Sequence, residues 1–194
     1  MNTLDVGCGC KTVHTPRGDV GVDLHSNPNG NPSYFAVADG HHLPFPHEQF
    51  SCISMYEVLE HAENPAGCIR EAHRVLKPDG VFCLSVPNVF HWRILLWTLL
   101  GRQVSRDHIH GFNKWDIENL LWRCGFTVTR SNYVLVPERW RHDKLLHRFA
   151  DWVAYELGVF RRFTGASLYI ECKKGVNKKF GRDNRGESAW AIPL

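Results

Sequence analysis

Apolar residues in the first half of the chain fall in short runs separated by polar and turn-forming residues. The runs lie at 3–6, 20–24, 34–38, 51–55 and 81–86. Runs of this length, alternating with helical or turn segments, predict an α/β domain built on a largely parallel sheet. Before the last run the period changes. Ile69, Ala72, Val75 and Leu76 recur at helical spacing, with Asn64 at the N-cap position and Pro65 at the first helical position, where a missing N–H is tolerated. Lys77-Pro78-Asp79-Gly80 supplies the turn chemistry that stops this helix.

The second half is patterned differently. Trp115, Ile117, Leu120, Leu121 and Cys124 follow Asn113 at helical spacing, and Gly125 suits the position after a helix end. A strand is predicted from Phe126, and a last one over 166–172. Residues 138–160 read as a basic amphipathic helix with Leu145, Leu146, Phe149, Trp152, Val153 and Leu157 on one side. From Lys173 the chain turns polar and glycine-rich. Such a composition buries too little apolar surface to order itself, so one domain is expected over 1–172 and a disordered tail over 173–194.

Composition narrows the class. With 194 residues, 43% hydrophobic and 22% charged, the chain can bury one core and is neither a disordered chain nor a disulfide-stapled miniprotein. The net charge of +3 hides a split: residues 1–88 carry 5 Lys/Arg against 10 Asp/Glu, and the remainder 18 against 10. Seven cysteines, none in C-x-x-C spacing, read as reduced thiols of a cytoplasmic protein. Cys8 and Cys10 lack a second cluster to complete a tetrahedral site, so no metal is expected. Residues 1–12 have no basic region of a signal peptide. The longest apolar stretch, 94–100, is interrupted by Thr98 and falls far short of the ~20 residues of a spanning helix.

The candidate chemistry lies where the first four strands end. Leu4-Asp5-Val6-Gly7-Cys8-Gly9 is a strand running into a G-x-G turn, in which glycine lets the backbone approach a ligand. A dinucleotide fingerprint needs a further glycine, and Thr12 stands there instead. Gly21-Val22-Asp23-Leu24 ends a strand in a carboxylate able to accept both hydroxyls of a ribose. Ala38-Asp39-Gly40-His41-His42-Leu43-Pro44-Phe45 and Met55-Tyr56-Glu57-Val58-Leu59-Glu60-His61 follow the next two strands. Polar residues at the carboxyl ends of successive strands form the ligand crevice of open α/β sheets.

In this order the motifs resemble those of the class I S-adenosylmethionine-dependent methyltransferases, especially the branch of small quinone-biosynthesis and natural-product enzymes. Arg74-Val75-Leu76-Lys77-Pro78-Asp79-Gly80 resembles a later motif of the same family, and the likeness runs from Thr3 to about Cys172. It implies a Rossmann-like three-layer sandwich with a seven-stranded, mostly parallel sheet whose last strand is antiparallel. It also implies S-adenosylmethionine as cofactor and S-adenosylhomocysteine as product. Gly7 and Gly9 would border the methionine part, Asp23 would hold the ribose, Asp39 would lie near the adenine amine and the Tyr56–Glu57 backbone near the sulfonium, with Asp5, Cys8, Leu24 and Gly40 as further cofactor-binding positions. Two features depart from the family. Lys11 replaces a third glycine, and Thr15-Pro16-Arg17-Gly18 occupies the place of a full helix, so the first crossover helix is expected to be short or missing.

Alternatives stay open at several residues. Asp5 either hydrogen-bonds turn amides or meets the cofactor. His61 either pairs with Glu57 or Glu60 or serves as a base, the first candidate for an oxygen or nitrogen acceptor, with His108 and His110 next. In Asp107-His108-Ile109-His110-Gly111-Phe112, a strand would put both rings on one face, in packing, capping, acceptor contact or, least expected, metal binding. Residues 89–112 and 135–165 stand where this fold inserts acceptor-side elements. The apolar stretch at 89–101 reads as a core helix, an acceptor wall, or a surface meeting a membrane or a second subunit, and the basic stretch at 138–162 as a solvated face or an anion-binding one. The acceptor is expected to be small or lipid-linked. A degenerate methyltransferase fold serving as scaffold is the alternative. A nucleic-acid methyltransferase ranks below both, because no base-flipping motif is present.

Overall fold

The computed structural model describes residues 2–8, 19–25, 34–102, 107–134 and 161–175. Seven strands form one sheet: β1 Thr3–Val6, β2 Val20–Asp23, β3 Tyr34–Val37, β4 Phe50–Tyr56, β5 Leu76–Pro87, β6 Phe126–Val134 and β7 Ser167–Lys174. Their order is β3-β2-β1-β4-β5-β7-β6. The first five run parallel, and β7 is antiparallel to both β5 and β6. The helices are α1 Pro65–Val75, α2 Trp92–Leu99, α3 Lys114–Arg123 and the short α4 Arg161–Thr164. The sheet grows outward in both directions from the β1/β4 pair, so that pair is the topological switch point, where such sheets bind ligands.

Alternation along the strands divides the sheet into two unlike faces. Leu4 and Val6, Ile53 and Met55, Phe82, Leu84 and Val86, and Leu168, Ile170 and Cys172 all lie in one buried cluster with Cys68, Ile69, Ala72 and Val75 of α1 and Ile117 and Leu121 of α3. The intervening residues include Asp5, Ser54 and Ser85, which are buried polar groups. Period-two alternation thus puts a dry apolar layer under α1 and α3 and leaves the opposite face polar. The β1–β2 and β2–β3 connections at 9–18 and 26–33, the segment at 138–160 and the chain beyond 175 lie outside the described residues.

The two helices for which the sequence predicts a cap, α1 and α3, are capped as expected. Asn64 Oδ1 accepts from the Gly67 N–H at 3.0 Å, and Asn113 Oδ1 from the Asp116 N–H at 3.1 Å. Gly125 follows α3 with φ +90. The turn chemistry of 77–80 acts differently from the reading above. Leu76 is already extended and pairs with Phe50, and the next ladder pair is Cys52 with Val81. Lys77, Pro78, Asp79 and Gly80 therefore form a bulge inside β5 instead of a turn before it. Gly80 is needed there, since a Cβ would sit 2.6 Å from Leu76 Cδ1. A second correction concerns the expected tail: Lys173 and Lys174 belong to β7, opposite Val81, Thr127 and Phe126.

One buried polar residue ties the carboxyl end of β5 to the segment that enters its neighbour β7. Asn88 Nδ2 donates to the Arg162 and Gly165 carbonyls, each at 2.7 Å, and its Oδ1 accepts from the Phe90 N–H at 3.0 Å. Its backbone N–H donates to the Ala166 carbonyl at 2.9 Å. Truncation would remove three bonds, one buried and two part-buried, each worth on the order of 1 kcal/mol. Asn88→Ala is expected to lower unfolding free energy by about 2–4 kcal/mol, read as a reduced urea midpoint with unchanged slope.

Candidate functional site

At the switch point β1 ends in a tight turn. Gly7 has φ +72, and its N–H donates to the Val22 carbonyl at 2.7 Å, with the Cys8 N–H 3.2 Å from the same oxygen. A Cβ at Gly7 would overlap the Val58 side chain, so both conformation and space demand glycine. The Cys8 thiol is buried and pushed up to about 11 by burial, then by the Asp5 and Asp23 charges, so it stays protonated. Gly9 and Lys11 lie outside the described residues.

The neighbouring strand ends carry the predicted acids. Asp23 closes β2, where its Oδ1 accepts from the His25 N–H at 3.1 Å, and Leu24 beside it is exposed. Asp39 follows β3, and Gly40 follows it. Asp39 Oδ1 accepts from the His41 N–H at 2.9 Å and faces His41 Nδ1 at 2.6 Å. The backbone N–H first, then the imidazole, holds the Asp39 carboxyl below its usual range. The Asn64 N–H donates to His41 Nε2 at 3.2 Å, which fixes the proton on Nδ1. His41 thus links the acid after β3 to the cap of α1, a role not foreseen from the sequence.

Beyond β4 the backbone turns through Glu57, a non-glycine residue with φ +53. The Glu57 N–H donates to the Ser85 carbonyl at 3.0 Å, and Ser85 Oγ donates to Glu57 Oε1 at 2.7 Å. Two bonds to one residue of β5 hold this strained conformation. Tyr56 is buried and stacks on Tyr169 with centroids 6.1 Å apart. Burial raises its hydroxyl above the usual range.

Asp5 is 7% exposed and accepts a 2.8 Å bond from Ser54 Oγ of β4. Its side chain thus reaches across to the neighbouring strand. Burial drives its pKa up to about 6, the Ser54 bond opposes this, and the Asp23 charge adds to it.

A second acidic and basic group lies after β4. Glu60 is 1% exposed, and its Oε2 has no hydrogen-bond partner. Burial first, then the Glu57 charge, raises its pKa to about 9. His61 Nε2 is 3.9 Å from Glu60 Oε1, and His61 Nδ1 is 2.8 Å from the Asp107 carbonyl. The His61 and His108 rings meet edge to face at 4.9 Å and 79°. Burial and the His61 charge lower the His108 pKa.

His110 is separated from this group. Residues 107–111 are not a strand, because the Glu60 carbonyl accepts from both the Ile109 and His110 N–H groups, at 2.8 and 3.1 Å. His110 lies beside Phe112 instead, with centroids 6.0 Å apart. The shared-face arrangement of His108 and His110 is therefore not formed. The apolar stretch after β5 also departs from one reading. No residue of α2 is buried, and Leu95, Leu96, Trp97, Leu99 and Leu100 are exposed, so α2 is not a core helix.

A family model described as a methyltransferase domain matches residues 1–131. A ubiquinone biosynthesis O-methyltransferase of Ruegeria pomeroyi is 24% identical over 165 residues, covering 73% of this chain and 66% of that protein. An uncharacterized protein of Methanocaldococcus jannaschii is 31% identical over 106 residues, 50% of this chain and 41% of that one. The chain thus spans less than two thirds of the length of these relatives. Among solved structures, an S-adenosylmethionine-dependent methyltransferase from Mesorhizobium loti superimposes with TM-score 0.60 at 18% identity, covering 89% and 90% of the two chains. A putative methyltransferase from Bacillus halodurans gives 0.61 at 19% identity, covering 90% and 92%. At these identities the structural likeness bears on the fold.

The raised Asp5 pKa has a consequence for stability. The unfolded chain loses this proton near 3.8 while the folded chain keeps it to about 6, so stability falls as pH rises through that window and levels off above it. Asp5→Asn removes the titrating group while keeping an acceptor for Ser54. The variant is expected to exceed the parent by on the order of 2 kcal/mol at pH 7, with the gap closing below about pH 4. Urea midpoints measured across that range check both the sign and the window.

Proposed function

The chain belongs to the class I S-adenosylmethionine-dependent methyltransferase family, and on that premise we propose that it transfers a methyl group to the oxygen or nitrogen of a small or lipid-linked acceptor. The observation that carries the reading is the set of groups around the β1/β4 switch point: a glycine turn, a carboxylate after β2, a second after β3, and a strained backbone after β4. The donor chemistry fits the cofactor. Carboxylates suit ribose hydroxyls and an adenine amine, and a negative edge suits a sulfonium cation.

When bound, S-adenosylmethionine supplies an electrophilic methyl group on a positively charged sulfur. The chain's own residues position and shield. In this reading Asp23, with Leu24 beside it, holds the ribose. Asp39 and Gly40 flank the adenine, while Asp5, Gly7, Cys8 and Gly9 border the methionine portion. The Tyr56–Glu57 backbone faces the sulfonium. In-line displacement needs orientation and exclusion of water more than covalent help. His61 is suited to take the acceptor's proton, because donation from Nδ1–H to the Asp107 carbonyl leaves a lone pair on Nε2. His108 and His110 are the next candidates.

The acceptor's class is supported by α2. It follows the carboxyl end of β5 and exposes leucine and tryptophan side chains, which favours an apolar acceptor and a contact through 89–101 with a membrane surface or a second copy. The R. pomeroyi relative, a ubiquinone biosynthesis O-methyltransferase, points in the same direction. No helix among the described residues is long and apolar enough to cross a membrane.

Calorimetric titration with S-adenosylhomocysteine tests the cofactor reading. Asp23→Ala is expected to weaken binding at least tenfold, the loss of a hydrogen bond to a charged group being about 1.5–3 kcal/mol. Absence of binding by the parent at millimolar ligand would overturn the proposal. Release of S-adenosylhomocysteine across quinols, phenols, sugars and lipids then identifies the acceptor. With it, His61→Ala is expected to lower turnover by about a hundredfold, and unchanged turnover removes His61 from the mechanism.

A further inference from the structure

We propose that His41 is a positioning residue that determines base specificity: by holding one oxygen of Asp39, it makes the site prefer adenine over a 6-oxo purine such as hypoxanthine. The inference rests on the cofactor reading above, in which Asp39 meets the adenine. It adds what makes that carboxylate selective.

The two oxygens of Asp39 are unlike. Oδ1 accepts from the His41 N–H at 2.9 Å and lies 2.6 Å from His41 Nδ1. Among the described residues no bond is made to Oδ2, and the side chain is 49% exposed. With two donors on Oδ1, Oδ2 is the oxygen left to accept from a ligand. The His41 side chain is only 20% exposed, so the imidazole is the anchored member of the pair.

The anchor is α1. The Asn64 N–H donates to His41 Nε2 at 3.2 Å, so the neutral ring carries its proton on Nδ1 and donates it to Asp39. Flipping the ring would lose both bonds at once. Gly67 gives the ring its space, since a Cβ there would stand 3.1 Å from His41 Cδ2 and 3.0 Å from Asn64 Nδ2. Glycine weakens a helix, and here it lets the imidazole lie against the first turn of α1. The rest of the loop is bonded to the same helix. The Leu43 N–H donates to Glu71 Oε2 at 3.0 Å, and Arg74 donates to the Phe45 and Leu43 carbonyls at 2.8 and 3.0 Å.

Selectivity follows from donor and acceptor roles. An ionised carboxylate only accepts, whereas a protonated one also donates. The two N–H groups on Oδ1 favour the ionised form and hold the Asp39 carboxyl below its usual range. Oδ2 therefore pairs with the amine of adenine and repels the carbonyl oxygen that hypoxanthine carries in its place. Without the imidazole, the exposed carboxylate keeps only the His41 N–H and is free to turn away from a 6-oxo group. In the sequence His41 and His42 are equivalent neighbours. Only His41 reaches Asn64, while His42 is exposed.

The test measures Kd for S-adenosylhomocysteine and for S-inosylhomocysteine by calorimetry on the full chain. The parent is expected to bind the adenine ligand at least ~10-fold more tightly, the scale of one hydrogen bond to a charged group. His41→Ala is expected to reduce this preference at least ~5-fold, since it removes a charge-assisted bond that orients the carboxylate. His41→Gln, whose amide can donate to Asp39 and accept from Asn64, should keep most of it, and His42→Ala should leave it unchanged. The ratio decides, because loss of a contact to the helix cap alone would weaken both ligands equally. Should His41→Ala fail to fold, His41→Phe removes both ring nitrogens while filling the space beside Gly67. A parent that binds both ligands equally, or a His41→Ala chain that keeps the parent's ratio, overturns this inference and leaves the cofactor reading standing. A parent that binds neither ligand overturns both.

Discussion

The register of β4 between β1 and β5 is the constraint on which the functional edge depends. Ile53 and Met55 point into the layer under α1, while Ser54 and Tyr56 point to the polar face. A slip of one residue would exchange these sets, burying a hydroxyl in the apolar layer and exposing two large side chains. The same register brings Ser54 against Asp5 and Ser85 against Glu57, and so fixes both the acid in β1 and the strained turn after β4. The bulge at 77–80 serves this register. It absorbs the residues between the end of α1 and the point where Val81 enters the ladder opposite Cys52.

Electrostatics at the edge follow from that geometry. Asp5 and Glu60 are both carboxyls taken out of water by the packing around β4, and each has its pKa raised chiefly by burial. Retaining such groups in place of apolar residues lowers stability unless something compensates. A retained proton is that compensation, which is why both pKa values move up. Asp39 shows the contrasting solution. Its partner is supplied by the fold, in the His41 N–H and imidazole, and its pKa moves down.

What the sequence made legible was whatever depends on neighbours in the chain. Strand positions, the caps at Asn64 and Asn113, Gly125 after α3, and the acids at strand ends all follow from local periodicity and local backbone chemistry. What stayed hidden depends on pairing between distant segments. Ser54 reaching Asp5, Asn88 collecting carbonyls from 162 and 165, and Asp107 orienting His61 each join residues whose proximity only the sheet creates. The His108–His110 reading failed for the same reason. An alternating pair suggests a shared face only if the segment is a strand, and the Glu60 carbonyl, nearly fifty residues earlier, bends it away. The bulge at 77–80 is an intermediate case, since Pro, Asp and Gly announced a break in regular structure without announcing on which side of the strand boundary it would fall.

The uneven distribution of charge along the chain now has a spatial counterpart. The acidic first half contributes the strand ends, and so the field at the β1/β4 switch point is negative. The basic second half contributes α2 and the segment leading to α3, where apolar side chains face solvent beside Arg93 and Arg102. A cation is therefore favoured at the sheet edge, while an apolar or anionic group is favoured beyond it. For methyl transfer this polarity has a direction. Positive charge is lost from sulfur as the methyl group moves, so a negative edge that holds the cofactor also resists the step. An apolar approach on the acceptor side offsets this by excluding the water that would otherwise solvate the acceptor's lone pair.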